Sequence, residues 1–345
     1  MRRVALLFLT LTALACRDRQ AAAPTGPGAA TVPALEAGRL EAYSEAFYEI
    51  IPRGARLEIL AEGHDWTEGP LWVARGGYLL YSDIPRNAVY KWSPGTGSGI
   101  YLQPSGFVGA AFEGTEPGSN GLLLDPEGRL VLCQHGNRQV ARMQPPIEKP
   151  APEFETLAAS YQGKRLNSPN DAVYDSRGNL YFTDPPYGLP GQVEDPGKEL
   201  DFQGVYRLRP DGELTLLTRE LSRPNGVALS PDEGRLYVAN SDPEAAYWTV
   251  FDLLPDGTLG PGKRFFDATD RTTSEKGLPD GMKINRQGVV FGTGPGGVYV
   301  FAPDGALLGR ILTGEATSNC AFNETQTALF ITADAYVLKL ALNGE

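Results

Sequence analysis

The chain has 345 residues, 31 of them basic and 42 acidic, for a formal net charge of −11. An acidic surface repels phosphate backbones, which speaks against nucleic acid as a partner. Its three cysteines stand far apart in sequence, so no cysteine-based metal cage or redox pair is visible.

Residues 1–15 open with Arg2 and Arg3, continue in an apolar run broken only by Thr10 and Thr12, and end in Ala13-Leu14-Ala15. That is the pattern of a secretory signal, too short to span a bilayer. Cys16 follows the triplet directly and resembles the lipid-modified cysteine of a bacterial lipoprotein; ordinary cleavage would instead leave it as a free thiol. Residues 17–34 are rich in Ala, Pro and Gly and too poor in large apolar residues to fold, so they read as a tether. Residues 35–51 have the spacing of a short amphipathic helix, and the globular part is expected over residues 52–345. Cys133 and Cys320 fall in apolar, strand-like runs and read as core thiols. The expectation is an exported, monomeric protein of the periplasm or cell envelope, touching a membrane only through an N-terminal lipid.

The globular part repeats. Six segments share a polar start, a short apolar run, a turn and a second apolar run: "TEGPLWVARGGYLLYSD" from Thr67, "SNGLLLDPEGRLVLCQHG" from Ser119, "PNDAVYDSRGNLYFTDPP" from Pro169, "PNGVALSPDEGRLYVANSD" from Pro224, "PDGMKINRQGVVFGTGPG" from Pro279 and "SNCAFNETQTALFITAD" from Ser318. A third strand-like run follows each, such as "GVYRLRPDG" or "YVLKLAL", and a fourth follows most. Four strands per unit is the pattern of a propeller blade. The last unit has only three, while "ARLEILAEG" stands unpartnered before the first. The fold class is therefore all-β: a six-bladed β-propeller, closed by an N-terminal strand over residues 55–63 that completes the last blade.

First strands line a propeller's channel, so the residues at their heads should converge at one mouth: Glu68, Asn120, Asn170, Asn225, Asp280 and Asn319. All six offer oxygen, and the two carboxylates give the ring a charge of −2, which suits Ca²⁺ better than zinc. Singly, each Asn or Asp reads equally as a turn former before a strand. Two carboxylates enclosed together without a counter-ion are costly, and this favours a cation. A second set lies about fifteen residues further on: Asp83, His135, Asp184, Asn240, Thr293 and Asp334. These either contact substrate or support the ring. His64, in "GHDWTEG", has the same two readings.

The motifs "EGPLW", "SPNDAV", "PNGVALSPDEGRLYV" and "LPDGMKI" resemble those of the senescence marker protein/gluconolactonase/luciferin-regenerating family, over about residues 55–342. The resemblance implies a Ca²⁺ at the mouth, with Zn²⁺, Mn²⁺ or Mg²⁺ as substitutes, and ligands Glu68, Asn170, Asn225 and Asp280. It implies hydrolysis of a sugar lactone or similar cyclic ester; water would attack the carbonyl carbon, and a carboxylate at the site, Asp280, is the candidate to accept its proton while also touching the metal. Asn120, His135, Asp184 and Asn319 are then the candidates for binding the small-molecule lactone or ester substrate. Related propellers hydrolyse organophosphates, and a non-catalytic propeller holding a sugar or cell-wall ligand is the other class of reading.

Overall fold

The computed structural model describes residues 38–344, and the expectations for residues 1–15, Cys16 and the tether lie outside them. Among the described residues six antiparallel blade sheets follow one another along the chain, their consecutive strands in simple meander order, with an N-terminal strand added at the outer edge of the fifth and of the sixth; a two-stranded ribbon, Ser160–Tyr161 with Lys164–Arg165, lies apart from them. The six repeat units thus become six blades. Their first strands are Thr67–Val73, Ser119–Leu124, Ala172–Tyr174, Pro224–Leu229, Met282–Ile284 and Thr317–Phe322. Each touches its counterpart in the next blade, and the last touches the first, so they form a closed inner ring.

Closure runs as the incomplete last repeat demands. Glu58–Ala61 pairs antiparallel with Tyr336–Ala341 and supplies the outer strand of blade 6, with Glu58 opposite Lys339. Apolar side chains then pack between blades rather than within them. One cluster joins blades 1 and 2 through Leu80, Val89, Leu122 and Leu132, and comparable clusters fill the other five gaps. Cys133 and Cys320 are buried free thiols in two of them.

Residues 38–51 differ from the expected helix. Arg39–Ala42 is a fifth strand on blade 5, paired with Leu307–Leu312, and only Phe47–Ile50 turns helically. Two features of the sequence explain this. "RLEA" alternates polar and apolar residues with the period of a strand. Gly38 adopts φ +58°, and a side chain there would collide with the Leu312 carbonyl. The segment is fastened by the buried Arg310, whose guanidinium donates to Glu41 at 2.8 Å, to the Tyr43 hydroxyl at 2.9 Å and to Glu275 at 2.6 Å. Phe47 and Ile51 are fully buried in the cluster between blades 5 and 6.

A prediction separates a folded segment from a tether. Phe47→Ala should cost about 3–5 kcal/mol in chemical denaturation, the usual range for emptying a core phenyl site. A cost below about 1 kcal/mol would mean that residues 38–51 do not share the cooperative unit of the propeller.

Candidate active site at the channel mouth

The inner strands are held in register by side chains that reach from one blade to the next. The Ser82 hydroxyl of blade 1 donates to the Asn120 carbonyl of blade 2 at 2.8 Å. Thr183 donates to the Asn225 carbonyl at 2.6 Å, Ser241 to the Pro279 carbonyl at 2.7 Å, and Thr293 to the Ser318 carbonyl at 2.9 Å. Ser318 completes the circle with a 2.7 Å bond to the Thr67 carbonyl. Between blades 2 and 3 the Gly121 N–H donates directly to the Asn170 carbonyl at 2.8 Å. These bonds fix the backbone at the heads of the inner strands, which is where the ring residues sit.

The Asn-Gly and Asp-Gly pairs that suggested turns have a different cause. Glycine follows Glu68, Asn120, Asn225 and Asp280 because the next blade's backbone or ring residue packs against its Cα. A side chain at Gly69 would run into the Asn120 carbonyl, at Gly226 into the Asp280 carbonyl, and at Gly281 into the Asn319 amide. Only Gly69 of these also needs a positive φ, +53°.

Four predicted ligands, Glu68, Asn170, Asn225 and Asp280, line one cavity of about 480 Å³ together with Asn120 and His135. Asn319 and Asp184 are not in its wall. Asn319 lies beneath Glu68 and donates to its Oε2 at 3.1 Å, while Cys320 N–H donates to the Asn319 oxygen at 2.9 Å. Asp184 accepts the N–H groups of Asn167 and Ser168, each at 2.8 Å, and so shapes the loop that delivers Asn170. Burial raises the Asp184 carboxyl to about 7, with those two bonds pulling the other way. A cleft of about 660 Å³ beside Arg177, Arg207 and Asp256, and one of about 690 Å³ between the loops of Phe107, Gly136 and Gly188, are larger and hold none of the ring residues.

The rest of the second set divides by strand register. Pairing sets Thr67 opposite Asp83, Ser119 opposite Gln134 and Pro224 opposite Asn240. Asp83 and Asn240 turn back to accept N–H groups of the loop before their own inner strand, Asp65 at 3.2 Å and Arg223 at 2.8 Å. In blade 2 the matching residue is Gln134, which donates to the Ser105 carbonyl at 2.9 Å. His135 lies one residue beyond that register, which turns it toward the cavity. His64 is a packing residue, held 3.1 Å from Asp83 and 2.9 Å from the Tyr81 hydroxyl.

Three charged groups escaped the sequence reading. Asp171 is buried beside Asn170, at the position where most other repeats carry glycine. Lys283 extends into the channel to 3.9 Å from Asp171 and donates to the Asn319 oxygen at 3.4 Å. The break in the glycine column and a lone lysine in an inner strand were the available signals. Glu116 lies in a loop with no repeat partner and gave none; it stands 2.7 Å from His135 Nδ1.

Burial is the chief cause of a Glu68 carboxyl pushed up to about 7, and the Asp171 charge pushes the same way. Asp280 is also raised well above the usual carboxylate range, by burial first and then by Glu68. Its Oδ1 is buried without a partner among the described residues, as are Asn120 Oδ1 and Asn225 Oδ1. Orphaned buried acceptors are rare in folded proteins. Among the described residues no three His, Cys, Asp or Glu side chains are grouped to hold an ion. A cation here would therefore lean on amide oxygens as well as the two carboxylates, a hard, mixed donor set that fits Ca²⁺.

The profile of the SMP-30/gluconolactonase/LRE-like region matches residues 66–335. The chain is 41% identical over 314 residues to a gluconolactonase of Zymomonas mobilis, covering 88% of this chain and 86% of the relative. A solved gluconolactonase from Xanthomonas campestris superimposes with a TM-score of 0.76 at 34% identity, covering 88% of this chain and 94% of the other. A luciferin-regenerating enzyme shares the fold at 17% identity, with a TM-score of 0.67 over 85% of this chain and 98% of that one.

The enclosed carboxyls predict how the metal-free protein responds to pH. Glu68 moves from an ordinary 4.5 to about 7, so the folded state holds the extra proton. Stability from this group is complete below about pH 4.5 and is lost as pH rises through about 7; Asp280 and Asp184 act in the same direction. Melting in EDTA should fall by a few kcal/mol equivalent across that window, and Glu68→Gln should remove part of the slope. A wild-type slope unchanged in Glu68→Gln would contradict the assigned protonation.

Proposed function

The chain belongs to the SMP-30/gluconolactonase/LRE-like family, and we propose that it hydrolyses sugar lactones or similar cyclic esters with a divalent cation, Ca²⁺ before others, at the channel mouth. The observation that carries this reading is the convergence of partnerless buried oxygens, those of Asn120, Asn225 and Asp280, on one cavity that also holds Glu68 and Asn170.

Glu68, Asn170, Asn225 and Asp280 would hold the cation. When bound, it supplies Lewis-acid polarisation of a carbonyl oxygen, worth several kcal/mol to an ester-opening reaction. The chain's own residues do the rest. Asn225 Nδ2 donates to Ser241 at 2.9 Å, which turns its amide oxygen away from the protein and toward the cavity. Glu68 Oε2 accepts from Gly69 N–H at 2.6 Å and from Asn319, and those bonds hold it in one orientation. Asn120 brings an amide oxygen with no donor among the described residues, an acceptor for a substrate hydroxyl. Tyr187, Thr272 and Lys276 add polar groups around the opening, in keeping with a hydroxylated substrate. The pairing with lactones rests on the relatives and the carboxylate–amide ring together. Export, and anchorage through a lipid on Cys16, complete the reading at the chain's start; Cys16→Ser should move the protein out of the membrane fraction of its host, and a wild type already absent from that fraction would refute it.

The direct test is acid release from glucono-1,5-lactone with Ca²⁺, Zn²⁺, Mn²⁺ or Mg²⁺ and with EDTA. Turnover should depend on a metal. Ca²⁺ at a hundred times its Kd should stabilise the wild type by about 2.7 kcal/mol, and Asp280→Asn should lose most of that gain together with the activity. Equal stabilisation in both would remove Asp280 from the cation site. Tight Ca²⁺ binding without turnover on any lactone or ester would favour the non-catalytic reading.

A further inference from the structure

The cavity wall contains a second group of polar side chains beside the ring residues. His135 is fully buried, with Nδ1 2.7 Å from Glu116 Oε2, and both residues line the cavity. A carboxylate can only accept, so the imidazole hydrogen sits on Nδ1 and the lone pair on Nε2. Nε2 is buried and has no partner among the described residues. Leaving such an acceptor unmet costs about 1–3 kcal/mol, so a residue placed only for packing would be expected to find a donor.

The position is rigid. His135 N–H donates to the Gly118 carbonyl at 3.1 Å, and the His135 carbonyl accepts from Arg138 N–H at 3.0 Å. Gly188, which has no side chain, lies against it; a Cβ there would come within 2.7 Å of the His135 Cβ. The backbone and Cβ of His135 are thus held between the loops before Ser119 and after Asp184, and Glu116 holds the ring. Gln134 does for blade 2 what Asp83 and Asn240 do for theirs, which frees His135 from that duty.

We propose that His135 is the general base and then the general acid of lactone opening, with Glu116 as its positioning residue. The proposal rests on the lactonase reading above and differs from it in giving the proton to His135 rather than Asp280. A carboxylate committed to a cation has its lone pairs occupied and is a weak base. In the step, the oxygen of a water forms a bond to the lactone carbonyl carbon while one water proton passes to His135 Nε2. The ring C–O bond then breaks, and the departing alkoxide takes that proton back from Nε2. Water and lactone become one hydroxy acid, the imidazole is neutral again, and no other reactant is needed.

The experiment compares wild type, His135→Ala, His135→Gln and Glu116→Gln on glucono-1,5-lactone under the metal found to support turnover. His135→Ala and His135→Gln should lower kcat by about 10²–10⁴-fold with KM little changed, the range for loss of a positioned base. Added imidazole should restore part of the His135→Ala rate by entering the vacated space. Glu116→Gln should lower kcat less, again with little change in KM. Ca²⁺-induced stabilisation should stay at the wild-type level in all three, because none holds the cation. Retention of kcat within about threefold in both His135 variants, or a loss confined to KM, overturns the proposal while metal-dependent wild-type turnover leaves the lactonase reading standing. A wild type that opens no lactone overturns both.

Discussion

A propeller has no central core; each blade is stabilised by lying between two others, so everything depends on the seam where the last blade meets the first. Here the seam has the least apolar material, four buried residues, Leu79, Tyr81, Phe330 and Val337, with partly buried neighbours. Hydrogen bonds and aromatic contact reinforce it. Thr67 donates through its backbone to the Asp334 carbonyl at 2.8 Å and through its hydroxyl to the Asp334 and Tyr336 carbonyls at 2.9 Å. Trp72 stacks on Phe330 at a centroid distance of 5.0 Å. Strand Glu58–Ala61 then covers the edge that blade 6 would otherwise expose, which removes a template for aggregation.

The same seam places the site. Thr67 adjoins Glu68, and Ser318, which binds the Thr67 carbonyl, adjoins Asn319, the residue that orients Glu68. Closing the ring and building the cavity-facing carboxylate are therefore one set of contacts. A disturbance of closure would reach the mouth within a single residue, whereas a change on an outer strand would have to pass through a whole blade.

How much of this was legible in the sequence depended on whether a feature repeats. Blade number, closure and the six ring positions repeat or complete a repeat, so alignment alone exposes them. Residues 38–42 did not, because a short segment with apolar residues at mixed spacing satisfies both a helix and a strand; the partner strand Leu307–Leu312 decided the matter. His135 was found by its approximate distance from the ring, but its role was hidden by a one-residue offset that only strand pairing reveals. Glu116 belongs to an aperiodic loop and was invisible. Asp171 and Lys283 were visible in principle, as exceptions to the columns in which they stand.

Those exceptions explain why the mouth can be both oxygen-rich and stable. A ring of six buried carboxylates would suffer desolvation and mutual repulsion that no single divalent ion offsets. Amides at Asn120, Asn170, Asn225 and Asn319 keep the oxygens and omit the charge. Asp171 adds one carboxylate below Glu68 and Asp280, and Lys283 adds one ammonium beside it, so the pair leaves the local balance where two ring acids set it. Lys283 also donates to the Asn319 oxygen, which leaves the Asn319 amide hydrogens for Glu68. One lysine thus offsets a buried acid and fixes the flip of an asparagine, and through that asparagine it orients the carboxylate that faces the cavity. The channel interior below the mouth is in this sense part of the site, although Asp171, Lys283 and Asn319 do not line the cavity.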